Sequence, residues 1–342
     1  MSKKAVIAAA LAAATLVFGV SFASASSSGG SLKGAGSTFV SPLVSQWQAA
    51  YKNAQITYGA VGSTAGIGQI TARTVDFGAS DAPLTKDQAA SCNHCEQIPW
   101  ALASTSIPYH VPGVDYGLKL TGKILANIYL GHITKWNDSA IKKINPGVKL
   151  PDLKITPVFR SDGSGTSYNF TDYLSRVSPE FKSKVGVGTQ PTIPAKNAIG
   201  GRGSAGLAGV VSRTDGAIGY VDEAFSLKNG FKVAKIQNRA GKFQLPGLKG
   251  IAAAAATVHK VPASGALSIV NPPKSQKLAY PICTFTYIIV PLKSNKASTL
   301  KQFISWAITD GQSLKYTQAL QFFPLPKIVR TADRTFIRKI HS

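Results

Sequence analysis

Three times in this chain a short apolar strand signal runs into a turn made of Gly, Ser and Thr and then into residues with helical spacing. Gly34-Ala35-Gly36-Ser37-Thr38-Phe39 precedes Leu43, Trp47, Ala50 and Tyr51, which have the spacing of an amphipathic helix. Ile56-Thr57-Tyr58 reads as a strand, Gly59 to Gly66 as a Gly/Ser/Thr-rich turn, and Ile67-Gly68-Gln69-Ile70 as the opening of a second helix. Ile155-Thr156-Pro157-Val158 empties into Phe159-Arg160-Ser161-Asp162-Gly163-Ser164-Gly165-Thr166-Ser167, and Tyr168 to Val177 carry a third helix pattern. Alternating strands and helices of this kind predict an α/β architecture. None of the three turns has the Lys of a P-loop.

The third turn holds what a small anion needs. Gly163 and Gly165 let the backbone come close, the first N–H groups of the helix have no internal partner, and Ser164 and Thr166 add hydroxyl donors. Arg160 supplies a permanent charge on a planar fork suited to tetrahedral oxyanions. The same residues also suit an ordinary capped helix after a surface turn, and capping is the commonest job of such hydroxyls. One turn leaves both readings open. Three in one chain predict several helix N-termini converging on one small anion.

At 342 residues the chain is long enough for two domains, taking about 150 residues for each. Its 44% hydrophobic and 15% charged content excludes a disordered chain. Residues 1–25 read as a secretory signal: Lys3 and Lys4, the apolar stretch Ala5 to Val20, then Ala23-Ser24-Ala25. Ser26 to Gly30 reads as a flexible leader. No Cys follows the apolar stretch, so no lipid anchor is expected, and no later segment approaches a membrane span. The expectation is an exported, soluble protein in the periplasm. There a disulfide between Cys92 and Cys95 is expected to pin Asn93 and His94, with Cys283 a buried free thiol. Zinc or redox work at the Cys-x-x-Cys lacks a second Cys/His pair nearby.

The formal charge is +23, or +21 without Lys3 and Lys4. The basic residues are scattered singly, without a basic helix or aromatic-basic interleaving, and export removes most nucleic-acid partners, so no nucleic-acid binding is expected. A basic surface instead raises encounter rates with small anions, or suits acidic surroundings.

An ordered set of motifs makes the reading specific: Gly34 to Phe39, Thr74-Val-Asp-Phe-Gly-Ala-Ser-Asp-Ala-Pro83, Ile128-Tyr-Leu-Gly131 with Lys135-Trp136, Arg160 to Ser167, Gly216-Ala-Ile-Gly-Tyr-Val221, and Tyr280-Pro-Ile282. From about Leu32 to about Arg338 the chain resembles the phosphate-binding proteins of the bacterial phosphate-specific ABC importer, the PstS family. The resemblance implies a periplasmic-binding-protein type II fold, with two α/β lobes joined by two hinge crossovers. It implies a phosphate held between the lobes without metal or cofactor. Carried over position by position, the phosphate-binding residues are Thr38, Phe39, Ser63, Asp81, Arg160, Ser164, Gly165 and Thr166, with Asp162 positioning the Arg160 guanidinium. Implied partners are inorganic phosphate and the membrane subunits of an ABC permease, for a monomeric binding protein. Cys92-Asn-His-Cys95, the basic surface and the Ala-rich Ile251 to Val258 depart from the family pattern and touch none of these positions.

On its own Asp81 reads as a cap for the turn before Pro83; within the resemblance it gives the site its chemistry. An ionised carboxylate beside a bound dianion is repulsive unless the ligand lends a proton between them. Phosphate carries such a proton at neutral pH and sulfate does not, so the carboxylate selects against sulfate. Arsenate is protonated like phosphate and harder to reject; another oxyanion therefore stands as an alternative ligand. A secreted serine-type hydrolase is the enzyme alternative, through Gly163-Ser164-Gly165. No strand-borne Gly-x-Ser-x-Gly elbow occurs, however, and His94, His110, His132, His259 and His341 sit in no recognisable pairing. A metallophosphatase would need clusters of acids that 15 scattered carboxylates do not form. No catalytic residue is therefore assigned.

The expected lobes are residues 31–104 with 285–342, and residues 105–284. Ser104 to Val111 reads as the first crossover, Ala217 to Val221 as a strand of the second lobe, and Thr284 to Val290 as the return. Ser298 to Trp306 and Gly311 to Leu320 are expected as closing helices. Val233 to Lys277 show no firm period, and no element is assigned there. Trp47, Trp100, Trp136 and Trp306 are expected to pack in cores.

Overall fold

The structure, a computed structural model, describes residues 30–342; the expected secretory signal lies outside them. Fourteen strands are described: β1 (Ser31–Gly36), β2 (Gln55–Ala60), β3 (Phe77–Ser80), β4 (Cys95–Ser106), β5 (Pro108–His110), β6 (Lys119–Leu120), β7 (Thr156–Arg160), β8 (Ile199–Gly201), β9 (Ala217–Ile218), β10 (Val221–Asp222), β11 (Lys232–Val233), β12 (Lys235–Gln237), β13 (Phe243–Gln244) and β14 (Cys283–Pro291). They form a six-stranded sheet in the order β10-β4-β14-β3-β1-β2, a five-stranded sheet β11-β5-β9-β7-β8, and a small sheet β13-β12-β6. Two helix-covered α/β sheets make the two-lobed periplasmic-binding-protein fold.

The three recurring units are all present. β1, β2 and β7 each run into a turn and then into the helices Ser41–Ala50, Ser63–Thr71 and Gly165–Val177. β1 lies parallel to β2 and β3, and β7 parallel to β8 and β9, so in each sheet these strands deliver their turns to the same edge. Ligands of open parallel sheets bind at that carboxyl edge.

The chain leaves the first sheet at Ile107, buried between β4 and β5, and returns through β14, whose Cys283 pairs with Ser104. Ala217 to Val221 does not form the single strand expected. It divides at Gly219-Tyr220: β9 stays in the second sheet, while β10 pairs antiparallel with β4 through Val221↔Ser106. The division takes Asp222 towards the first sheet and leaves Tyr220 buried between them.

The region without expected elements contains β12, β13 and a helix, Leu248–Ala255, which buries Ile251, Ala254 and Ala255. Alanine has the best helix propensity but little apolar contrast around the helix, so periodicity fails where propensity succeeds. Gly311 to Leu320 breaks at Ser313 into a 3₁₀ turn, Asp310–Gln312, and a short helix, Leu314–Thr317. Gln312 turns inward there and donates to the carbonyls of Trp100 and Ala307. The last helix, Lys327–Arg338, was not anticipated.

Trp47, Phe77, Trp100 and Phe303 pack edge to face behind the first sheet, and Trp47 Nε1 and Trp100 Nε1 find Gly311 O and Thr286 Oγ1 at 2.8 and 2.7 Å. Trp136 is fully buried and Trp306 partly so. Cys92 and Cys95 are disulfide-bonded across Asn93 and His94, and Cys283 is a buried free thiol, as expected.

Candidate functional site

The turns after β1, β2, β3 and β7 meet in one place. Ser63, the first residue of its helix, accepts hydrogen bonds at Oγ from Gly165 N (3.0 Å) and Asp81 N (3.3 Å), tying the first sheet to the second. Thr64 N donates to Gly163 O at 3.1 Å beside it. Thr38 Oγ1 receives Arg160 Nη1 at 3.1 Å and lies 3.0 Å from Ser204 Oγ. Residues more than a hundred positions apart therefore share one buried cluster.

Arg160 ends β7 and is 3% exposed. Its guanidinium is gripped through Nε to Asp162 Oδ1 (2.7 Å) and Nη2 to Asp162 Oδ2 (2.5 Å), and Gly203 N also donates to Oδ1 at 2.9 Å. Burial pushes the Asp162 carboxyl up, but the Arg160 hydrogen bonds and charge and the Gly203 N–H outweigh it and hold it below its ordinary value. A guanidinium fixed in this way loses little freedom on gripping oxygen atoms.

Asp81 follows β3 and is 2% exposed. Ser37 Oγ donates to its Oδ1 at 2.5 Å. Burial pushes the carboxyl up to about 7, against the Ser37 hydrogen bond, the Arg160 charge and the Ser63 hydroxyl, which all lower it. Near neutral pH the group thus stands close to the balance between acceptor and donor.

Ser164 caps the helix Gly165–Val177, its Oγ accepting Ser167 N at 3.3 Å. Thr166 Oγ1 is buried without a hydrogen-bond partner among the described residues, an unusual state for a hydroxyl. Two glycines are required by contact. A Cβ on Gly165 would come within 2.6 Å of Asp81 N and 2.7 Å of Ser63 Oγ. One on Gly62, at φ +96, would meet Asp162 Oδ2 at 2.6 Å. Phe39 sits differently from the rest: its ring is buried edge-on against Phe322, and its N–H donates to Ser37 Oγ at 3.0 Å.

Sequence reasoning missed Ser37, Ser204, Tyr220 and Asp222. Tyr220 Oη accepts Arg160 N at 3.1 Å and lies 2.8 Å from Ser167 Oγ. Asp222 caps the helix Glu223–Lys228 through Phe225 N and accepts Ser204 Oγ at 3.3 Å. Burial, with a smaller push from the Asp81 charge, raises Asp222 to about 7. A signal existed for Ser204: Ile199-Gly-Gly-Arg-Gly-Ser204 is a fourth strand–turn–helix unit, leading into the helix Gly203–Arg213.

Chemically, amides, hydroxyls and the Arg160 guanidinium surround the Asp81 carboxylate, a set suited to a tetrahedral oxyanion that carries a proton. No histidine hydrogen-bonds Ser164 among the described residues; His110 and His132 pair with Asp215 and Glu180 at the surface. Among the same residues no cluster of three His, Cys, Asp or Glu side chains could hold a metal ion, and no helix is long and apolar enough to cross a membrane.

Residues 23–311 match the PBP superfamily domain. The phosphate-binding protein PstS of Xylella fastidiosa (strain Temecula1) is 40% identical over 302 residues, covering 86% of this chain and 81% of its own. That of Pasteurella multocida is 36% identical over 305 residues, 87% of each chain. Among solved structures, a phosphate-binding protein from Stenotrophomonas maltophilia aligns with a TM-score of 0.69 at 21% identity, over 89% of this chain and 93% of its own. A high-affinity periplasmic phosphate-binding protein solved with phosphate aligns with a TM-score of 0.73 at 19% identity, over the same shares. At those identities the likeness to the solved structures is one of fold.

Proposed function

We propose, from the premise that this chain belongs to the PstS family of phosphate-binding proteins within the PBP superfamily, that it captures inorganic phosphate outside the cytoplasm and delivers it to an ABC importer. The observation that carries the reading is the pairing of a tethered, buried Arg160 with a buried Asp81 among hydroxyls supplied by both sheets. Arg160 grips two ligand oxygens. The hydroxyls of Thr38, Ser63, Ser164 and Thr166 donate to the rest, Phe39 and Gly165 line the site with N–H groups that Ser37 and Ser63 accept, and Thr166 Oγ1 gains the partner it lacks among the described residues. Asp162 positions the guanidinium.

Asp81 accepts the hydrogen that phosphate carries. Sulfate at neutral pH brings no hydrogen and faces the carboxylate's lone pairs, a mismatch worth about 1–3 kcal/mol or more for a charged group. Arsenate satisfies Asp81 as phosphate does and is the second ligand this chemistry admits. The protein acts by binding rather than catalysis: among the described residues no base hydrogen-bonds Ser164 to make it a nucleophile.

In this reading residues 31–104 with 285–342 form one lobe and 105–284 the other. Residues 1–25 direct export and are removed, leaving a periplasmic monomer without a lipid anchor that docks on the permease subunits and uses no metal, cofactor or nucleic acid. Thermal unfolding of ligand-stripped protein tests the binding claim. A ligand at about 100 times its Kd adds about 2.7 kcal/mol. At pH 8 phosphate should therefore raise Tm by several degrees, and an equal concentration of sulfate should raise it clearly less. A Tm that ignores millimolar phosphate would overturn the proposal.

A further inference from the structure

Ser37 hydrogen-bonds directly to the carboxylate that sets the ligand's chemistry, yet it lies outside the residues assigned above to the anion. Its oxygen already accepts two N–H groups, Phe39 N at 3.0 Å and Val40 N at 3.3 Å, in the turn that opens the helix Ser41–Ala50. A hydroxyl has two lone pairs and one proton. With both lone pairs engaged, the proton goes to Asp81 Oδ1 at 2.5 Å. The backbone therefore fixes the polarity of the bond: Ser37 donates and Asp81 accepts. Among the described residues no group donates to Oδ2 in hydrogen-bond geometry, although the Ser63 hydroxyl lies near enough to help lower the carboxyl's pKa.

We propose that Ser37 is a specificity-determining positioning residue: by committing its only proton to Oδ1 it keeps the Asp81 carboxyl ionised and leaves Oδ2 as the acceptor for a hydrogen carried by the ligand. This deepens the reading of the site as a phosphate site and rests on it. A carboxyl that is 2% exposed tends to take up a proton, and once protonated it can donate to sulfate, which removes the discrimination. Burial has already raised Asp81 to about 7, and of the groups opposing that rise Ser37 acts most strongly, ahead of Arg160 and Ser63. The other ionisable groups facing Asp81 do not replace it. Asp222, beyond Ser204, is itself raised by burial and by the Asp81 charge, and burial with the same charge holds Tyr58 and Tyr287 neutral.

Ser37 also braces a helix turn, so the test must separate the two roles. Phosphate and sulfate affinities are measured by calorimetry from pH 5.5 to 8.5 for the wild type, Ser37→Ala, Ser37→Thr, Asp81→Asn and the Ser37→Ala/Asp81→Asn double variant. In the wild type sulfate binding weakens as pH rises through the Asp81 transition. Ser37→Ala should move that transition up by about one pH unit, which makes sulfate bind about tenfold better at a pH above it. Ser37→Thr, which keeps the hydroxyl, should restore the wild-type transition, and Ser37→Ala should leave the phosphate-to-sulfate ratio unchanged in the Asp81→Asn background. If Ser37→Ala does not fold, Ser37→Cys, with a weaker S–H donor, should shift the transition the same way by less. A loss of affinity shared equally by both anions at every pH, with the transition unmoved, would reduce Ser37 to a helix brace and overturn the inference alone. A wild type that fails to bind phosphate would overturn the functional reading with it.

Discussion

Burial raises the Asp81 carboxyl to about 7, so neutral pH divides its behaviour. Above that value the group is an anion that accepts a ligand's hydrogen; below it, a neutral acid that can donate one. Asp81→Asn removes the transition and leaves a permanent donor. The variant should bind phosphate modestly more weakly, by about 1–2 kcal/mol, and bind sulfate better than the wild type at pH 8. Its sulfate affinity should stay flat with pH where the wild type's declines, as competition titrations across pH 6 to 8.5 would show. An unchanged phosphate-over-sulfate preference would remove Asp81 from this role. Arg160 stood out from its place before a Gly-rich turn, whereas Asp81 was assigned only through the family resemblance, since Asp-Ala-Pro83 alone reads as a capped turn. Ser37 and Asp222 were not legible: their partners lie 44 and 18 positions away, at Asp81 and Ser204, and no local spacing encodes such pairs.

Local rules did locate the working elements. Strand, Gly/Ser/Thr turn and helix N-terminus recur because one geometry both caps a helix and presents its free N–H groups. Gly165 makes the geometry exacting. Gly165→Ala places a methyl 2.6 Å from Asp81 N, so the turn and the Ser63 contact cannot both persist. Phosphate affinity should fall by at least about tenfold while unfolding stays within about 1 kcal/mol of the wild type, since one interface contact rather than a core is lost. Calorimetry and denaturant titration report the two quantities separately.

The helix Lys327–Arg338 went unread although Val329, Ala332, Phe336 and Ile337 recur at helical spacing, because no capping side chain marks its start. It carries Asp333, fully buried, both of whose oxygens lack a partner among the described residues. Burial raises this carboxyl to about 9, far above its value in an unfolded chain. The sign follows from the proton count. Between about pH 4 and 9 the folded state holds a proton that the unfolded state has released, so Asp333 costs stability increasingly as pH rises through that window. Asp333→Asn keeps the shape and cannot ionise. Its stability relative to the wild type should improve steadily from pH 5 to pH 9, by about 1.4 kcal/mol for each pH unit in that window. A difference independent of pH would show that Asp333 ionises freely in the folded protein.

Across the whole molecule, the site exists only where the two sheets approach. Thr38 meets Arg160, Ser63 meets Gly165 and Thr64 meets Gly163, each pair drawn from opposite sheets. A ligand that bridges them favours the closed arrangement in proportion to its extra affinity for it. The order of motifs along the chain made this architecture readable, whereas the division of β9 from β10 was hidden in a continuous apolar run. A formal charge of +23 adds a long-range attraction for anions that should weaken with salt without setting selectivity. In the proposed site selectivity belongs to the carboxylate, and isothermal titration of ligand-stripped protein at pH 8 with phosphate and then with sulfate tests it most directly. Phosphate should titrate as one saturable site per chain and sulfate should bind at least about tenfold more weakly; equal affinities, or a flat phosphate trace, would contradict a buried carboxylate that waits for its ligand's hydrogen.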